Sequence, residues 1–203
     1  MVACSNSLHT PSSADYEVAF LKLITDLSNG ATVDINETGT IVKYKPGVIA
    51  GGAVHVDCGL ERGIGYFVEG VLPMLPFAKK TVMATFKGVT DCNHDPSADY
   101  LRDIMLPSVM PFGLTGLAMK IKARGAPPLG GGTVMLTCPV VRELKPIDLC
   151  EAGFIKRVRG VAYCTKVSPQ MANRMVDGAR YVQMAASSTA QLGNDEPVFT
   201  TVS

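Results

Sequence analysis

A nine-residue segment rich in proline and glycine, RGAPPLGGG, constrains the fold of this chain more than any other feature. It spans residues 124–132 and lies between two segments in which apolar side chains alternate with other residues, a period typical of β-strands. The alternating apolar residues are Leu117, Met119, Ile121 and Ala123 before the segment, and Val134, Leu136 and Cys138 after it. The pattern predicts a hairpin over residues 117–138 with a wide turn at its centre.

The same segment has a second interpretation, as a loop that binds an anion through its backbone amides. Phosphate loops usually open a helix, whose dipole and free amides attract the phosphate, but residues 133–138, TVMLTC, have the pattern of a strand. The sequence contains neither the G-x-x-x-x-G-K-[ST] motif nor the G-x-G-x-x-G motif. A structural turn is favoured, and a backbone-lined surface for an anion or a partner chain stays as the alternative.

Helical and extended segments follow one another along the rest of the chain. Helices are predicted over about residues 14–28, from Leu60 to Val71, from Asp95 to Val109 and over about residues 169–186. Strands are predicted over residues 33–35, 41–44, 82–86 and 155–167. The order helix, strand, strand occurs at residues 14–44 and again at 97–138, which suggests an internal repeat of about 85 residues. Because strands and helices do not alternate strictly, we predict an α+β fold, with sheets covered by helices on one face.

The composition is that of a globular protein with balanced charge. Of the 203 residues, 47% are hydrophobic and 18% are charged, and the net charge is +1, so any basic surface must be local. No apolar run approaches the roughly 18 residues that span a bilayer, and the N-terminal residues lack the pattern of a secretory signal. The six cysteines are far apart, with no C-x-x-C pair, and we expect reduced, mostly buried thiols of an intracellular protein.

The segment DCNHDPSAD, residues 91–99, contains candidate metal ligands. Asp95 precedes a proline, so we expect its carboxylate to cap the helix that begins there, with Asp99 in the first turn. Because capping accounts for these carboxylates, no metal site is predicted. His55, close to Asp57, is a conceivable general base, but a loop histidine with a surface role is the simpler interpretation.

Positive charge is most concentrated in and after FIKRVRG, residues 154–160. The cationic residues there are Lys156, Arg157, Arg159, Lys166, Arg174 and Arg180. In a strand Arg157 and Arg159 share one face, so one stripe would be doubly basic and could bind RNA phosphates. A charged strand edge that resists aggregation is an equally good interpretation.

Five long segments occur in a characteristic order. They are YKPGVIAGGAVHVDC, ERGIGYFVEGVLPMLPF, KGVTDCNHDPSADYLRDIMLPSVMPFG, KARGAPPLGGGTVMLTCPVVRELKPIDL and GFIKRVRGVAYCTKVSPQMANRMVDGAR. Together they resemble the RNA 3'-terminal phosphate cyclase family, and within it the eukaryotic branch that lacks cyclase activity. The resemblance covers about residues 14–185.

The resemblance implies a fold of repeated units, each a small β-sheet packed on two α-helices, with a smaller α/β domain inserted after the helix at about residues 169–186. It divides the chain into a non-matching segment, residues 1–13, a cyclase-like repeat domain, residues 14–167, and a last part, residues 168–203. That last part would hold a helix and the start of the inserted domain. We expect the chain to be truncated at both ends, because the family's opening strand and its C-terminal part have no counterpart here.

A role follows from the resemblance as well. It implies a factor of the nucleus and nucleolus that acts in 18S rRNA maturation, with the GTPase of the small-subunit processome, pre-rRNA and other processome proteins as partners, and no membrane. A non-catalytic scaffold is the first hypothesis. A pre-rRNA endonuclease or an RNA 3'-terminal phosphate cyclase is the alternative, and an interaction domain unrelated to RNA is a third.

For the site, the resemblance points to the glycine loop that lines the nucleotide pocket of true cyclases. The matching positions are Pro128, Gly130, Gly131 and Gly132, with Pro127 where an aromatic residue usually stands. Glu69 stands where active cyclases tend to carry glutamine, and its carboxylate opposes an approaching phosphate. The family's adenylate-accepting histidine lies in the missing region, so no catalytic residue, cofactor or metal is assigned. The predicted RNA- or partner-binding residues are Arg124, Lys156, Arg157, Arg159 and Arg174.

Overall fold

The contacts between residues divide the chain into two units, Met1–Ile147 and Asp148–Ser203. The computed structural model describes residues 15–37, 39–150, 159–165, 167–168, 170–187 and 198–202. Within these ranges the first unit contains a four-stranded sheet, two small strand pairs and several helices, and the second contains one strand pair and one helix. The domain boundary predicted after residue 167 differs from this division and stays a prediction.

The helices are α1 (Asp15–Leu27), α2 (Ile64–Val71), α3 (Ala98–Tyr100), α4 (Leu106–Val109) and α5 (Gln170–Ser187). A π-helical segment, Leu101–Met105, joins α3 to α4. The strands are β1 (Ser28–Asn29), β2 (Thr32–Ile35), β3 (Val42–Lys45), β4 (Val48–Ile49), β5 (Gly52–Asp57), β6 (Val82–Gly88), β7 (Ala118–Ala123), β8 (Gly132–Cys138), β9 (Arg159–Tyr163) and β10 (Val198–Val202). None of the described helices combines the length and the apolar character required to cross a bilayer.

The first helix and the first hairpin form where the sequence predicts them. In α1 the acidic residues Asp15 and Glu17 lie in the first turn, where negative charge is favourable to the helix dipole. The helix buries Leu23 and Leu27, as its spacing of apolar residues indicates. β2 and β3 then pair antiparallel over four residues, and β1 pairs with β4.

The main sheet has the strand order β5-β6-β8-β7. β5 and β6 are parallel and are joined through α2, whereas β6, β8 and β7 are antiparallel neighbours. Buried residues alternate with exposed or half-buried ones along β6 and β8, so among the described residues one face of these strands is packed and the other is at least partly exposed. The buried apolar residues of these two central strands are Val82, Ala84, Phe86, Val134, Leu136 and Cys138.

Two helical segments cover the buried face of the sheet. Their core residues are Ile64, Phe67, Val68 and Val71 of α2, and Ala98, Leu101 and Leu106 of the segment from α3 to α4. Complete burial of a side chain such as Phe67, which is 0% exposed, contributes about 1.5–3 kcal/mol to folding. A small sheet packed on two helices is the unit that the resemblance implies, and the predicted α+β class is confirmed.

The strand β5 is the largest difference from the predicted elements. It was not predicted, because only Val54 and Val56 of its six residues face the core, too few to show a period. The second helix also begins later than predicted, at Ile64. Leu60 lies in a turn and is 53% exposed, so it does not belong to the helical face.

The third helix is capped by Ser97, and the prediction that Asp95 caps it is wrong. Ser97 Oγ accepts a hydrogen bond from the Tyr100 amide at 3.1 Å, and α3 begins at Ala98. The helix therefore starts two residues later than the Asp-Pro pair indicates. The carboxylate of Asp95 is left for other partners, which are described below.

The second unit contains a parallel strand pair with a helix between its strands in sequence. β9 pairs with β10 from Arg159↔Val198 to Tyr163↔Val202, and α5 connects them along the chain. Ala172 and Val176 of α5 are buried. Of the strand predicted over residues 155–167, β9 confirms the part from Arg159 to Tyr163. The described residues between Tyr163 and residue 167 are not in a strand, and residues 155–158 lie outside the described residues.

Gly65→Ala tests the close packing of α2 on the segment before α3. A Cβ at residue 65 would lie 1.9 Å from the Pro96 carbonyl oxygen, so the two segments would have to separate. We expect the free energy of unfolding, measured by urea denaturation, to fall by about 1–3 kcal/mol. Gly178→Ala in α5 is the control, because a Cβ there meets nothing within 4 Å, and it should be neutral or slightly stabilising. An equal loss of stability in the two variants would contradict the close packing at Gly65.

Candidate functional site

The glycine-rich segment closes the hairpin between β7 and β8, as predicted. Thr133 lies in strand β8, so the turn leads into a strand and not into a helix. The Gly130 amide donates to the Ala126 carbonyl at 2.9 Å. Gly130 and Gly131 have φ values of 60° and 86°, in the left-handed region that glycine tolerates best.

Backbone segments approach one another closely beside this turn. A Cβ on Gly125 would lie 2.2 Å from the Gly132 nitrogen, and a Cβ on Gly132 would lie 2.6 Å from Thr90 Cγ2. Thr90 is buried and donates its hydroxyl to the Gly125 carbonyl at 3.0 Å. The same hydroxyl oxygen accepts from the Gly125 amide at 3.1 Å, and the Thr90 amide donates to the Gly125 carbonyl at 2.8 Å. These bonds fix the first arm of the turn to the loop after β6.

A cavity of about 530 Å³ lies against the second arm of the turn. Its lining residues are Asp57, Gly59, Leu60, Lys87, Gly88, Gly131, Gly132 and Thr133. Asp57 and Lys87 are the charged side chains in this lining, one negative and one positive. Asp57 Oδ1 accepts a hydrogen bond from the Gly59 amide at 3.1 Å. Because the two charges compensate each other, the described lining has no excess positive charge that would attract a polyphosphate.

The thiol next to this cavity is not a nucleophile. Cys58 is 1% exposed. Burial, with a smaller contribution from the negative charge of Asp57, raises the pKa of the Cys58 thiol to about 12. A thiol with this pKa is protonated at neutral pH, and only the thiolate is reactive.

The structure brings some of the predicted nucleotide-pocket positions together and separates others. Gly131 and Gly132 line the cavity, whereas Pro128 is exposed in the turn. Gly130 lies against Leu60, whose Cδ2 would be 2.6 Å from a Cβ on the glycine. Glu69 is exposed on α2 and is not among the described residues that line this cavity. The assignment of these positions to a nucleotide pocket stays a prediction.

Arg124, a predicted binding residue, is engaged within the protein. Its guanidinium forms a bidentate pair with Asp99, in which Nη2 lies 2.9 Å from Oδ1 and Nη1 contacts Oδ2. Asp99 also accepts from Arg102, which in turn pairs with Asp103. The two aspartates compensate the charges of the two arginines, and this leaves Arg124 less charge to offer to an RNA phosphate.

The other predicted binding residues belong to the second unit. Arg159 at the start of β9 and Arg174 on α5 are exposed. Lys156 and Arg157 lie outside the described residues. The binding role of all these cations stays a prediction.

Asp95 is a buried anchor between two segments of the first unit. Its carboxylate accepts hydrogen bonds from Arg62 Nη2 at 2.6 Å and from the Gly63 amide at 2.7 Å. The Arg62 guanidinium also lies over the Tyr66 ring, 4.3 Å from its centroid, a favourable cation–π geometry. Burial alone would raise the pKa of Asp95, but the hydrogen bonds from Arg62 and Gly63 outweigh burial and hold this pKa below its ordinary value. The carboxylate thus joins the start of α2 to the loop before α3.

The structure places His55 differently from its sequence-based interpretation. His55 lies in strand β5 and not in a loop, on the exposed face that it shares with Asp57, so the interpretation as a loop residue is wrong. Within the part of the chain that the structure describes, no group of three or more His, Cys, Asp or Glu side chains could hold a metal ion. The described cysteines are free, and only Cys58 and Cys138 among them are buried.

Sequence reasoning did not identify Thr90, Arg62 or Lys87 as part of this region. Thr90 and Gly125 are 35 residues apart, and Arg62 and Asp95 are 33 apart. No local pattern links such partners. Lys87 follows a predicted strand, and its place beside the turn depends on the pairing of β6 with β8.

Asp95→Asn tests the anchor and its dependence on pH. Because the variant leaves Arg62 without its partner in a largely buried site, we expect the free energy of unfolding to fall by about 1–3 kcal/mol at pH 7. The folded-state pKa lies below the unfolded value of about 3.9, so the stabilisation is complete above that value and is lost as the pH falls through the folded-state pKa. The difference between parent and variant should therefore be constant from pH 7 to pH 5 and shrink below about pH 4.

Asp103→Asn is the matched control for this substitution, because the Asp103 side chain is 48% exposed in its pair with Arg102. It should change the stability by less than about 0.5 kcal/mol. A pH-independent loss in Asp95→Asn would show that the carboxylate charge does not stabilise the fold.

Comparison with known proteins gives matches over most of the chain. A family model described as RNA 3'-terminal phosphate cyclase matches residues 9–200. The RNA 3'-terminal phosphate cyclase-like protein of Homo sapiens is 47% identical over 174 residues, which are 85% of this chain and 47% of that protein. The proteins named rRNA processing protein in Schizosaccharomyces pombe and Saccharomyces cerevisiae are 46% and 43% identical, over 85% of this chain and 48% and 47% of their own lengths.

The chain spans about half the length of the curated relatives it matches. The match includes the glycine turn, the four-stranded sheet and the two helical segments packed on it. It is continuous from before α1 to within β10. The chain belongs to the RNA 3'-terminal phosphate cyclase family.

Proposed function

We propose that this chain acts in the maturation of 18S rRNA, as a non-catalytic scaffold of the small-subunit processome in the nucleolus. Two yeast relatives carry the name rRNA processing protein and are 46% and 43% identical to it. Identity at this level over 85% of the chain supports a role of the same kind. The chain corresponds to about half of each relative, so the proposal concerns the binding that this part supplies.

The hydrogen bonding of the glycine turn is the observation that favours a scaffold over an enzyme. A phosphate-binding loop offers several free amides that converge on the anion. Here the Gly125 amide is bonded to Thr90 and the Gly130 amide to Ala126. The Asp57 carboxylate lines the adjacent cavity and disfavours a second negative group. These features favour a turn that shapes a surface over one that holds a nucleotide.

The proposed partners are pre-rRNA and the GTPase of the small-subunit processome. Exposed cations support contact with RNA, because lysine and arginine gain affinity for phosphates by releasing counterions. Arg159 and Arg174 are exposed in the second unit. With Lys156 and Arg157 they form the basic segment that the proposal assigns to RNA or to a partner protein.

Purification of the tagged protein from its own cells tests this function. We expect 18S precursors and a large GTPase to be recovered with it, by RNA sequencing and mass spectrometry. In the triple variant Lys156→Ala/Arg157→Ala/Arg159→Ala the recovery of precursor RNA should fall at least tenfold, because about three phosphate contacts are lost. The variant Lys43→Ala/Lys45→Ala/Lys80→Ala, which removes three exposed lysines elsewhere, is the control and should retain the RNA.

The enzyme hypotheses make opposite predictions. Transfer of label from ATP to the purified chain would indicate a cyclase, and metal-dependent cleavage of a ribosomal spacer RNA would indicate a nuclease. Either activity, measured in well-folded protein, would refute the scaffold hypothesis and support the corresponding enzyme. Recovery of unrelated proteins without ribosomal precursors would refute the role in rRNA maturation.

A further inference from the structure

One face of the main sheet is not covered by the described helices, and we name it the open sheet face. It carries a regular set of side chains. The strand registers place them in three rows across the sheet. The first row is Ala53, Met83, Thr137 and Ala118; the second is His55, Thr85, Met135 and Lys120; the third is Asp57, Lys87 and Thr133. Lys122 lies next to the third row, at the irregularity between Ile121 and Ala123. Every member is exposed or half-buried.

Positive charge predominates on the open sheet face. Lys87, Lys120 and Lys122 are exposed, and the structure shows no ion pair between any of them and another described residue. Asp57 is the single carboxylate among the residues of these four strands. The face is therefore basic although the whole chain carries a net charge of only +1, and it is complementary to a polyanion.

Between the charges the surface consists of methionine and threonine side chains. Met83 on β6 and Met135 on β8 are 52% and 37% exposed, and these strands are the two central ones. Thr85, Thr133 and Thr137 add half-buried hydroxyl groups on the same face. Polarisable methionine side chains can lie against the planes of bases, and hydroxyl groups can bond base edges or ribose 2'-hydroxyl groups.

These features fit single-stranded RNA better than a protein surface. Protein interfaces are poor in lysine, whereas this face has three exposed lysines. In double-stranded RNA the bases are paired and stacked, so side chains on a sheet cannot lie against their planes. With strands about 4.8 Å apart and about 3.3 Å per residue, the face has room for about three or four nucleotides.

From this combination we infer that the open sheet face binds single-stranded RNA, with Lys87, Lys120 and Lys122 at the phosphates and Met83 and Met135 against the bases. The inference rests on the proposed function, since rRNA precursors are the RNA that a processome scaffold meets, and it adds a surface in the first unit to the basic segment of the second. The third row also reaches the cavity at the glycine turn, where Asp57 offsets the charge of Lys87. The excess of positive charge on the face therefore comes from Lys120 and Lys122 on β7.

Fluorescence anisotropy with a labelled ten-nucleotide RNA of mixed sequence tests this surface on the purified 203-residue chain. We expect the variant Lys87→Ala/Lys120→Ala/Lys122→Ala to bind at least tenfold more weakly at low salt. Each phosphate contact on a single strand contributes about 0.7 to the slope of log K against log[salt]. Loss of three contacts should therefore reduce that slope by about 2.

The control variant is Lys43→Ala/Lys45→Ala/Lys80→Ala, which removes the same charge from exposed positions outside the open sheet face, and it should keep most of the affinity and the slope. Met83→Glu, which places a carboxylate among the bases without removing a lysine, should also weaken binding. Urea unfolding of each variant confirms that it is folded.

Several results would overturn the inference. The inference is wrong if the lysine variant keeps the affinity and the salt slope of the parent, or if the control variant loses as much affinity as the lysine variant. It is also wrong if the parent prefers a duplex of the same sequence or does not bind RNA. A change of oligomeric state in the lysine variant, with RNA binding retained, would assign the face to a second copy of the chain. If the lysine variant binds RNA as well as the parent while the protein still co-purifies with 18S precursors, the surface is refuted and the proposed function stands. If the lysine variant loses RNA binding but the parent recovers no 18S precursors from cells, the proposed function is refuted and the surface stands.

Discussion

The structure depends on the contact between Thr90 and Gly125. One buried threonine satisfies both backbone groups of Gly125 and so holds the loop after β6 against the first arm of the turn. This approach requires glycine at 125 and at 132, because a Cβ at either would overlap backbone or side-chain atoms. Contact between backbone segments is therefore a structural reason for glycine at positions 125 and 132.

Burial of one face of the sheet connects the Thr90–Gly125 contact to the rest of the first unit. The alternation along β6 and β8 directs one set of side chains to α2 and the α3–α4 segment and leaves the other set in solvent. The anchor of Asp95 on Arg62 and Gly63 holds α2 to the segment before α3. These contacts position the strands that carry the outer surface, and a surface that is ordered before binding loses less conformational entropy on binding. This favours a docking role for a family member whose glycine turn is closed upon itself.

Local periodicity predicted much of this fold, and long-range pairing accounts for the rest. The hairpin over 117–138 and α1 followed from alternation and helical spacing, which are properties of neighbouring residues. β5 did not, because the alternation of its two core-facing valines is too short to identify a strand. Asp95 was assigned to the nearest helix, whereas its partners Arg62 and Gly63 are more than thirty residues away. Lys87 is brought to the same face as Lys120 and Lys122 only through the register of β6, β8 and β7.

Amide hydrogen exchange at the turn, followed by NMR with and without Mg-ATP, tests the central claim most directly. If the turn is a closed junction between strands, the amides of Thr90, Gly125 and Gly130 exchange slowly in the free protein, and excess Mg-ATP leaves their rates and chemical shifts unchanged. Rapid exchange in the free protein that becomes slow when Mg-ATP is added would show a loop that closes on a nucleotide, and would contradict the account.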